Sequence, residues 1–519
     1  MKNYFFGTIL CSVFAVSSFS QIPGDATFLA PAIHTVKIYF SQVAWYDSLV
    51  AYKPLDKKMM GNVDIDGTYI DSVGIQFKGN SSYNAPGIKK PFKIDFNEFV
   101  SGQKYDGLKT INLNNAMKDP SFMREKIFDD FCLAAGIEAP RAAYTNLYVN
   151  DVLWGFYVLV EQVNTTFLAT HFGINDGNLF KGDANGTLQW YGTSQSSYYG
   201  KYELKTNEIA NNWTDLVHLI DEINNTPSNN FYDSLEVVLN TNSWIEGWAA
   251  NNIFVNLDSY LGTGHNYYIY HNTVTNKFDF IIWDANETFG NFNQGMTVTQ
   301  LENMTLAYSP TPSGSRPLTE KMVQNTTYMN AYANTVCNYI NNYFNHNYLD
   351  PKIDSIANVI RPYVYADPNK PYNNQAFEDN INKTVMNNIP GLKSFITNRR
   401  NSLSSQLTAY GCITGMDGSE PEKIESDSYR MEIYPNPCSG HVKFIPPLAG
   451  QSLKFKAGEM QLTVFDMYGN EVYSQTLNPV YSKAGMEHGT LNFDLPGGIY
   501  FLQVKSENKI STQKLIISR

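Results

Sequence analysis

The sequence predicts an α+β protein, with a main domain that is strand-rich in its first half and helical in its second, followed by a small all-β domain. Three observations predict it. Alternating apolar and polar residues dominate from Thr35 to Val163, and helical spacing of apolar residues recurs from Trp213 to Thr408. Residues 429–519 are short alternating runs separated by Asn-Pro and Gly-Gly turns, as in a compact β-sandwich.

Composition bounds the rest. Hydrophobic residues make up 43% of the chain and charged ones 17%, which excludes a disordered protein and leaves ample apolar material for a core. The net charge is −11 with no long basic run, so a general nucleic-acid binder is disfavoured. Residues 1–20 read as a secretory signal peptide. Lys2 gives a positive start, an apolar run spans Tyr4 to Val16, and Ser18 and Ser20 flank Phe19 at a small-x-small cleavage site. That run is shorter than the ~20 residues a bilayer span needs, and no later segment is long and apolar enough to cross a membrane. Residues 28–412 form the main domain, 413–428 an acidic linker poor in apolar residues, and 429–519 the C-terminal domain. Export permits disulfides; Cys337 and Cys412 lie in the same helix-rich region and are candidates to pair, although sequence alone does not choose a connectivity. Cys132 sits in an apolar helical stretch and reads as a buried thiol.

In chain order, Thr35–Phe40 alternates, and so do Ser72–Phe77 and Pro91–Phe96. The last two flank a Gly/Ser/Asn/Pro-rich loop and read as a hairpin. A helical pattern follows from Phe122 to Ala135, with Asp119 or Ser121 as N-cap and Gly136 as its stop. Tyr144–Val149 and Leu153–Val163 are strands around an Asn150–Asp151 turn. Helices are expected at Trp213–Ile223, Ser243–Val255, Thr319–Phe344, Ile353–Tyr363 and Leu392–Thr408. A strand pair, Asn266–His271 and Lys277–Ile282, is inserted among them. A sheet-rich half joined to a helical half near residue 165 places a ligand cleft at the junction.

The inserted strand pair carries the chemistry. Asp258 precedes it, Asn266 opens its first strand, and Asp284 follows its second. Such a set can converge at one end of the pair. Phosphoryl transfer needs one carboxylate to orient the acceptor hydroxyl and an Asp with an Asn to hold divalent metal on the phosphates. Mg²⁺ takes few carboxylates alongside water and phosphate oxygens. Asp and Asn are also common in turns for local reasons, and Asn286 and Glu287 stand near enough to be alternative ligands. In the first half, Lys78, Asn80 and Ser81 lie in the hairpin loop, whose backbone N–H groups could cover phosphates. Lys90 and Lys93 sit on the returning strand, where either could reach phosphate oxygens. Glu125, at the start of the following helix, is placed to pair with such a lysine, and Glu161 ends a strand where a hinge could present backbone groups to adenine.

The ordered run FKGNSSY, KKPFKIDF, DPSFMREKIFDDFCLAAGIEAPRA, WGFYVLVEQV, HFGINDGNLFKGD, YELKTNE, HNYYIY and FIIWDANETFG resembles the CotH family, the spore-coat-protein-H-like atypical kinases. The resemblance covers nearly all of residues 30–410. It implies a two-lobed, divergent protein-kinase-like fold that binds ATP and Mg²⁺ and phosphorylates Ser or Thr of a protein substrate. It gives Asp258 the part of catalytic Asp, Asp284 that of metal-binding Asp and Asn266 that of the accompanying amide ligand. KKPFK matches the lysine-bearing strand without choosing between Lys90 and Lys93. Lys181 and Lys205 fall in further recurring motifs. Many relatives carry an acidic residue two positions after the metal Asp, where this chain has Asn286. A non-catalytic adhesin or scaffold on the same fold is the competing reading.

The C-terminal MEIYPNPCSG, LTVFDMYGNEVY and GIYFLQV segments resemble the type A sorting domain of the type IX secretion system of Bacteroidota. This implies export through the periplasm to the outer surface or beyond, with the secretion machinery as partner of residues 429–519.

Overall fold

The structure is a computed structural model that describes residues 22–29, 33–414 and separate segments between 432 and 517. The expected signal peptide and nearly all of the expected linker lie outside the described residues. Among those described, no helix is long and apolar enough to cross a membrane. The chain divides into two units, 1–415 and 416–519.

In the first unit, β1 (His34–Tyr39), β2 (Met59–Ile65), β3 (Thr68–Phe77), β4 (Phe92–Asp95), β5 (Thr110–Asn114), β6 (Ala142–Val149) and β7 (Val152–Glu161) close into a barrel. Their order is β1-β2-β3-β4-β5-β7-β6. Neighbours are antiparallel except at the closure, where β1 and β6 run parallel with Val36 opposite Leu147. Closure leaves no strand edge unpaired. β3 and β4 are the expected hairpin, with Phe77 opposite Phe92. The loop between them holds a single helical turn, Ser81–Asn84.

The apolar run of β7 is explained by two cores. Tyr157 and Leu159 point into the barrel with Phe77, Phe92 and Ile94. Phe156, Val158 and Val160 point outward into a second, larger core shared with the helices. Alternation with period two therefore buries both faces of one strand, at roughly 1.5–3 kcal/mol for each fully buried large side chain.

The helix Arg124–Ala134 packs into the larger core through Ile127, Phe128, Phe131 and Cys132. Its N-cap position is Met123, not the expected Asp119 or Ser121. Those two residues instead brace the chain entering it: Asp119 accepts from the Arg124 backbone N–H at 2.9 Å and Ser121 Oγ from that of Met123 at 3.2 Å. Gly136, at φ 82°, follows its end. Arg124 is fully buried and its Nη1 reaches Asn380 Oδ1 at 2.9 Å, fixing the helix to the distal part of the domain. Phe128 and Phe131 pack against Phe254 at ring distances of 5.0 and 4.8 Å.

Beyond the barrel, β8 (Leu179–Gly182), β9 (Tyr202–Leu204), β10 (Tyr267–Asn272) and β11 (Lys277–Ile282) form a sheet in the order β11-β10-β8-β9. Around it stand the helices Thr214–Asn225, Thr241–Ile253, Thr326–Asn342, His346–Ala366 and Leu392–Leu407. The single helix expected over 319–344 is two, Pro317–Gln324 and Thr326–Asn342. Asn325 sits between them in extended conformation and its side chain accepts from the N–H groups of Thr327 and Tyr328, capping a new helix. The helix expected from Ile353 begins earlier, at His346, and runs through Pro351. Burial of Leu349, Ile353, Ile360 and Val364 offsets the hydrogen bond that the proline removes. Cys337 and Cys412 form a disulfide across a separation of 75 residues, and Cys132 is buried and free.

In the second unit the described elements are all strands. β12 (Glu432–Tyr434), β13 (His441–Ile445) and β18 (Gly489–Asn492) form one sheet. β14 (Met460–Phe465), β15 (Glu471–Leu477), β19 (Gly498–Ser506) and β20 (Lys509–Ile517) form another, and β16 (Tyr481–Ser482) pairs with β17 (Gly485–Met486). Leu462, Val464, Leu502 and Leu515 make its core.

Candidate active site

Asp258 lies in the loop after the Thr241–Ile253 helix, and that loop is folded tightly on itself. A Cβ on Gly262 would stand 2.0 Å from the Leu257 carbonyl oxygen. The loop holds Asp258 by both oxygens. His265 Nε2 lies 2.8 Å from Oδ1, and Asn266 Nδ2 donates to Oδ2 at 3.2 Å and to the Asp258 carbonyl at 2.9 Å. Asn266 leads directly into β10, whereas Asp284 follows β11, two residues past Ile282. Because Tyr267 is opposite Ile282, the two residues leave the same end of the strand pair. Both have left-handed backbone, φ 56° at each. This conformation is uncommon for a residue with a Cβ and is kept only where the surroundings enforce it.

Asp284 is raised above the ordinary carboxylate range by burial, while the Lys78 ammonium opposes the rise and the Asp258 carboxylate adds to it. Asp258 thus acts on Asp284 as a like charge. Among the described residues no hydrogen bond reaches the Asp284 carboxylate.

From the barrel side comes Lys78, just past the end of β3. Its Nζ donates to Asn114 Oδ1 at 2.9 Å, and Asn114 Nδ2 lies 2.9 Å from each oxygen of Glu125. The ammonium also lies 5.4 Å from the centre of the Trp283 ring. Burial pulls the Lys78 pKa down and the Asp284 and Glu125 charges push it back up. Glu125 is pushed up to about 7, first by burial and then by Asp284.

The pairing expected between Glu125 and Lys90 or Lys93 is thus replaced by Lys78, through Asn114. Lys90 turns into its own loop, donating to the Ala85 carbonyl at 2.7 Å. Lys93 faces Lys58, Lys205 and Lys78, and burial together with these like charges lowers it to about 8. Lys181 acts on both Lys78 and Asp284. Lys78 and Lys181 thus act on Asp284, and Lys93 in turn acts with Lys78 as a like charge. Asn80 and Ser81 are exposed at the start of the loop's single helical turn. Gly79 before them has φ 75°, and a Cβ there would stand 2.2 Å from Ser82 Oγ.

Glu161 ends β7. Its carboxylate is taken by Arg141, with Nη2 at 2.6 Å and Nε at 2.9 Å, and its own N–H bonds the Arg141 carbonyl at 3.0 Å. The side chain is thus committed to Arg141, and the part expected of this segment concerns its backbone groups.

A divalent cation is compatible with these residues. Asp284 offers an uncommitted carboxylate, and Asn266 keeps its Oδ1 while donating through Nδ2. Among the described residues no three His, Cys, Asp or Glu side chains cluster as a ready-made metal cage. A sparse set of this kind suits Mg²⁺, which retains water and takes phosphate oxygens. Asn114 and His265 also belong to the site, and Lys118 reaches it through Glu287, whose Oε1 accepts from Lys118 Nζ at 2.8 Å. Asn114 lies on β5, a strand absent from the expected elements, and Lys118 meets a partner 169 residues away, whereas His265 stands only 7 residues from Asp258.

A domain with this mixed α+β fold and this set of residues falls within a known class. The family model for the CotH kinase protein matches residues 75–403, more than half of the chain, and the chain belongs to that family. The inner spore coat protein H of Bacillus subtilis (strain 168) is similar to it, 27% identical over 295 residues that cover 56% of this chain and 77% of that protein. Residues 432–518 match the secretion system C-terminal sorting domain, which indicates export to the cell surface or release from the cell.

Proposed function

We propose that the main domain is an exported protein kinase that transfers phosphate from ATP, with Mg²⁺, to Ser or Thr of a protein. The observation that carries this reading is the convergence of Lys78, tied through Asn114 to Glu125, with Asp284 and Asp258. Asp258, oriented by His265 and Asn266, is placed to accept the hydrogen bond of an acceptor hydroxyl and take its proton. Lys78 and Lys93 supply positive charge for the phosphates. Asp284, with Asn266, holds the cation, which when bound neutralises charge developing on the transferred phosphoryl group. The sorting domain is read as the address for type IX secretion. Nothing in the charge distribution favours nucleic acid as a partner.

The test is phosphate incorporation from labelled ATP into the purified protein or a casein-like acceptor, for wild type, Asp258→Asn and Asp284→Ala. Transfer by wild type and its loss in both variants is expected. Equal labelling in all three would end the reading. The non-catalytic alternative draws on Asn286, a neutral residue in the run Asp284–Glu287. It predicts no stabilisation by ATP and Mg²⁺, whereas a ligand at about 100 times its Kd stabilises by about 2.7 kcal/mol.

A further inference from the structure

Glu287 is buried beside the aspartates and only half satisfied. Its Oε1 accepts from Lys118 Nζ at 2.8 Å, whereas Oε2, also buried, has no hydrogen-bond partner among the described residues. A buried carboxylate oxygen without a donor bears its desolvation cost uncompensated, so such an atom in a folded protein calls for a partner. The groups around it sharpen the question. Asp258 and Asp284 both act on Glu287 as like charges and, with burial, raise its pKa; Lys118 alone opposes them. Lys118 is 42% exposed and its backbone is left-handed at φ 62°. A partly solvated lysine is thus the counter-charge that Glu287 has among the described residues, whereas Lys78, Lys181 and His265 act on Asp284.

We propose that Glu287 Oε2 is an outer-sphere ligand of the divalent cation at Asp284, accepting a hydrogen bond from a water on that cation, and that Lys118 stands in for the cation when it is absent. The inference rests on the functional reading above. It assigns Glu287 as a positioning residue, acting through the water and not on the phosphate. Mg²⁺ and Mn²⁺ keep several waters when held by few carboxylates, and partners that orient such ligands alter metal affinity about 10–100-fold.

The test is Mn²⁺ binding to the mature full-length protein in the presence of a non-hydrolysable ATP analogue, followed by electron paramagnetic resonance and by the relaxation of water protons. Variants are Glu287→Gln, Lys118→Met and Asp284→Asn. Glu287→Gln is expected to raise the Mn²⁺ Kd about tenfold. Lys118→Met is expected to lower it, since it removes the competing ammonium and frees Oε1. A merely structural Lys118–Glu287 pair gives the opposite result, with both variants weakening binding or leaving it unchanged, and that overturns the proposal. If Glu287→Gln fails to fold, Lys118→Met decides alone by the sign of its effect. Wild-type binding lost only in Asp284→Asn, with Glu287→Gln within twofold of wild type, overturns the part given to Glu287 and leaves the proposed function standing. Absence of Mn²⁺ binding by wild type overturns both.

Discussion

Lys78 and Glu125 do not touch; the side chain of Asn114 stands between them, accepting from the ammonium at 2.9 Å and donating to both carboxylate oxygens at 2.9 Å. The bridge joins the barrel to the Arg124–Ala134 helix. Replacing Asn114 by Ala leaves a lysine and a carboxylate without their shared partner. A loss of about 1–3 kcal/mol in unfolding free energy is expected in urea titrations, the usual cost of unsatisfied buried groups. Wild-type stability in Asn114→Ala would mean that water replaces the amide and that the bridge does not hold Lys78.

Glu125 gives the protein a pH-dependent weakness. Burial and Asp284 raise its pKa to about 7 in the fold, from an ordinary value of 4.5. The native state therefore binds more protons than the unfolded chain between these values, and stability falls as pH rises through that window. The full penalty, on the order of 3 kcal/mol, is present above pH 7. Glu125→Gln is expected to flatten this fall, so that the variant gains on wild type between pH 5 and pH 8 in chemical denaturation. Parallel curves for the two proteins would show that Glu125 titrates normally.

Asp367 makes a second, purely structural link. It pairs with Lys89 at 2.6 Å and accepts the Phe156 N–H at 3.0 Å, with both charged side chains buried. Asp367→Ala strands the Lys89 ammonium and a β7 amide together. A loss of about 3–5 kcal/mol is expected, since removing one partner of a buried pair leaves an uncompensated charge. A loss below about 1 kcal/mol in the same titration would show that water enters the site.

Local pattern made part of this architecture legible. The β3–β4 hairpin was readable because alternation there reports which face is buried, whereas β7 and the β10–β11 pair, buried on both faces, were readable as short apolar and aromatic runs bounded by turn residues. β5 was not, because Asn112 and Asn114 look like turn residues until the barrel closes around them. The break at Asn325 was hidden for a related reason: apolar spacing continues across it, and only the capping geometry shows that the helix restarts. In the site, Asp258, Asn266 and Asp284 were legible from their places around one strand pair. That Lys78, not Lys90 or Lys93, meets Glu125 was not, because the choice depends on how far past β3 the chain extends before the loop turns.

Lys93 offers the most direct probe of the proposed phosphate site. Burial and the lysines at 58, 205 and 78 lower its pKa to about 8, and among the described residues no acidic side chain hydrogen-bonds it. In the unliganded protein it therefore loses its proton as pH rises through about 8. A bound triphosphate favours the charged form and raises that pKa, so above pH 8 binding must take up a proton. Affinity for ATP with Mg²⁺ is then expected to be highest below pH 8 and to fall above it, by at most about tenfold per pH unit. Lys93→Met is expected to bind more weakly at pH 7 and to lose the decline between pH 8 and 9. Calorimetry in buffers of different ionisation enthalpy measures both the affinity and the proton uptake. Proton uptake that persists in Lys93→Met would place the titrating group elsewhere and remove Lys93 from the phosphate site.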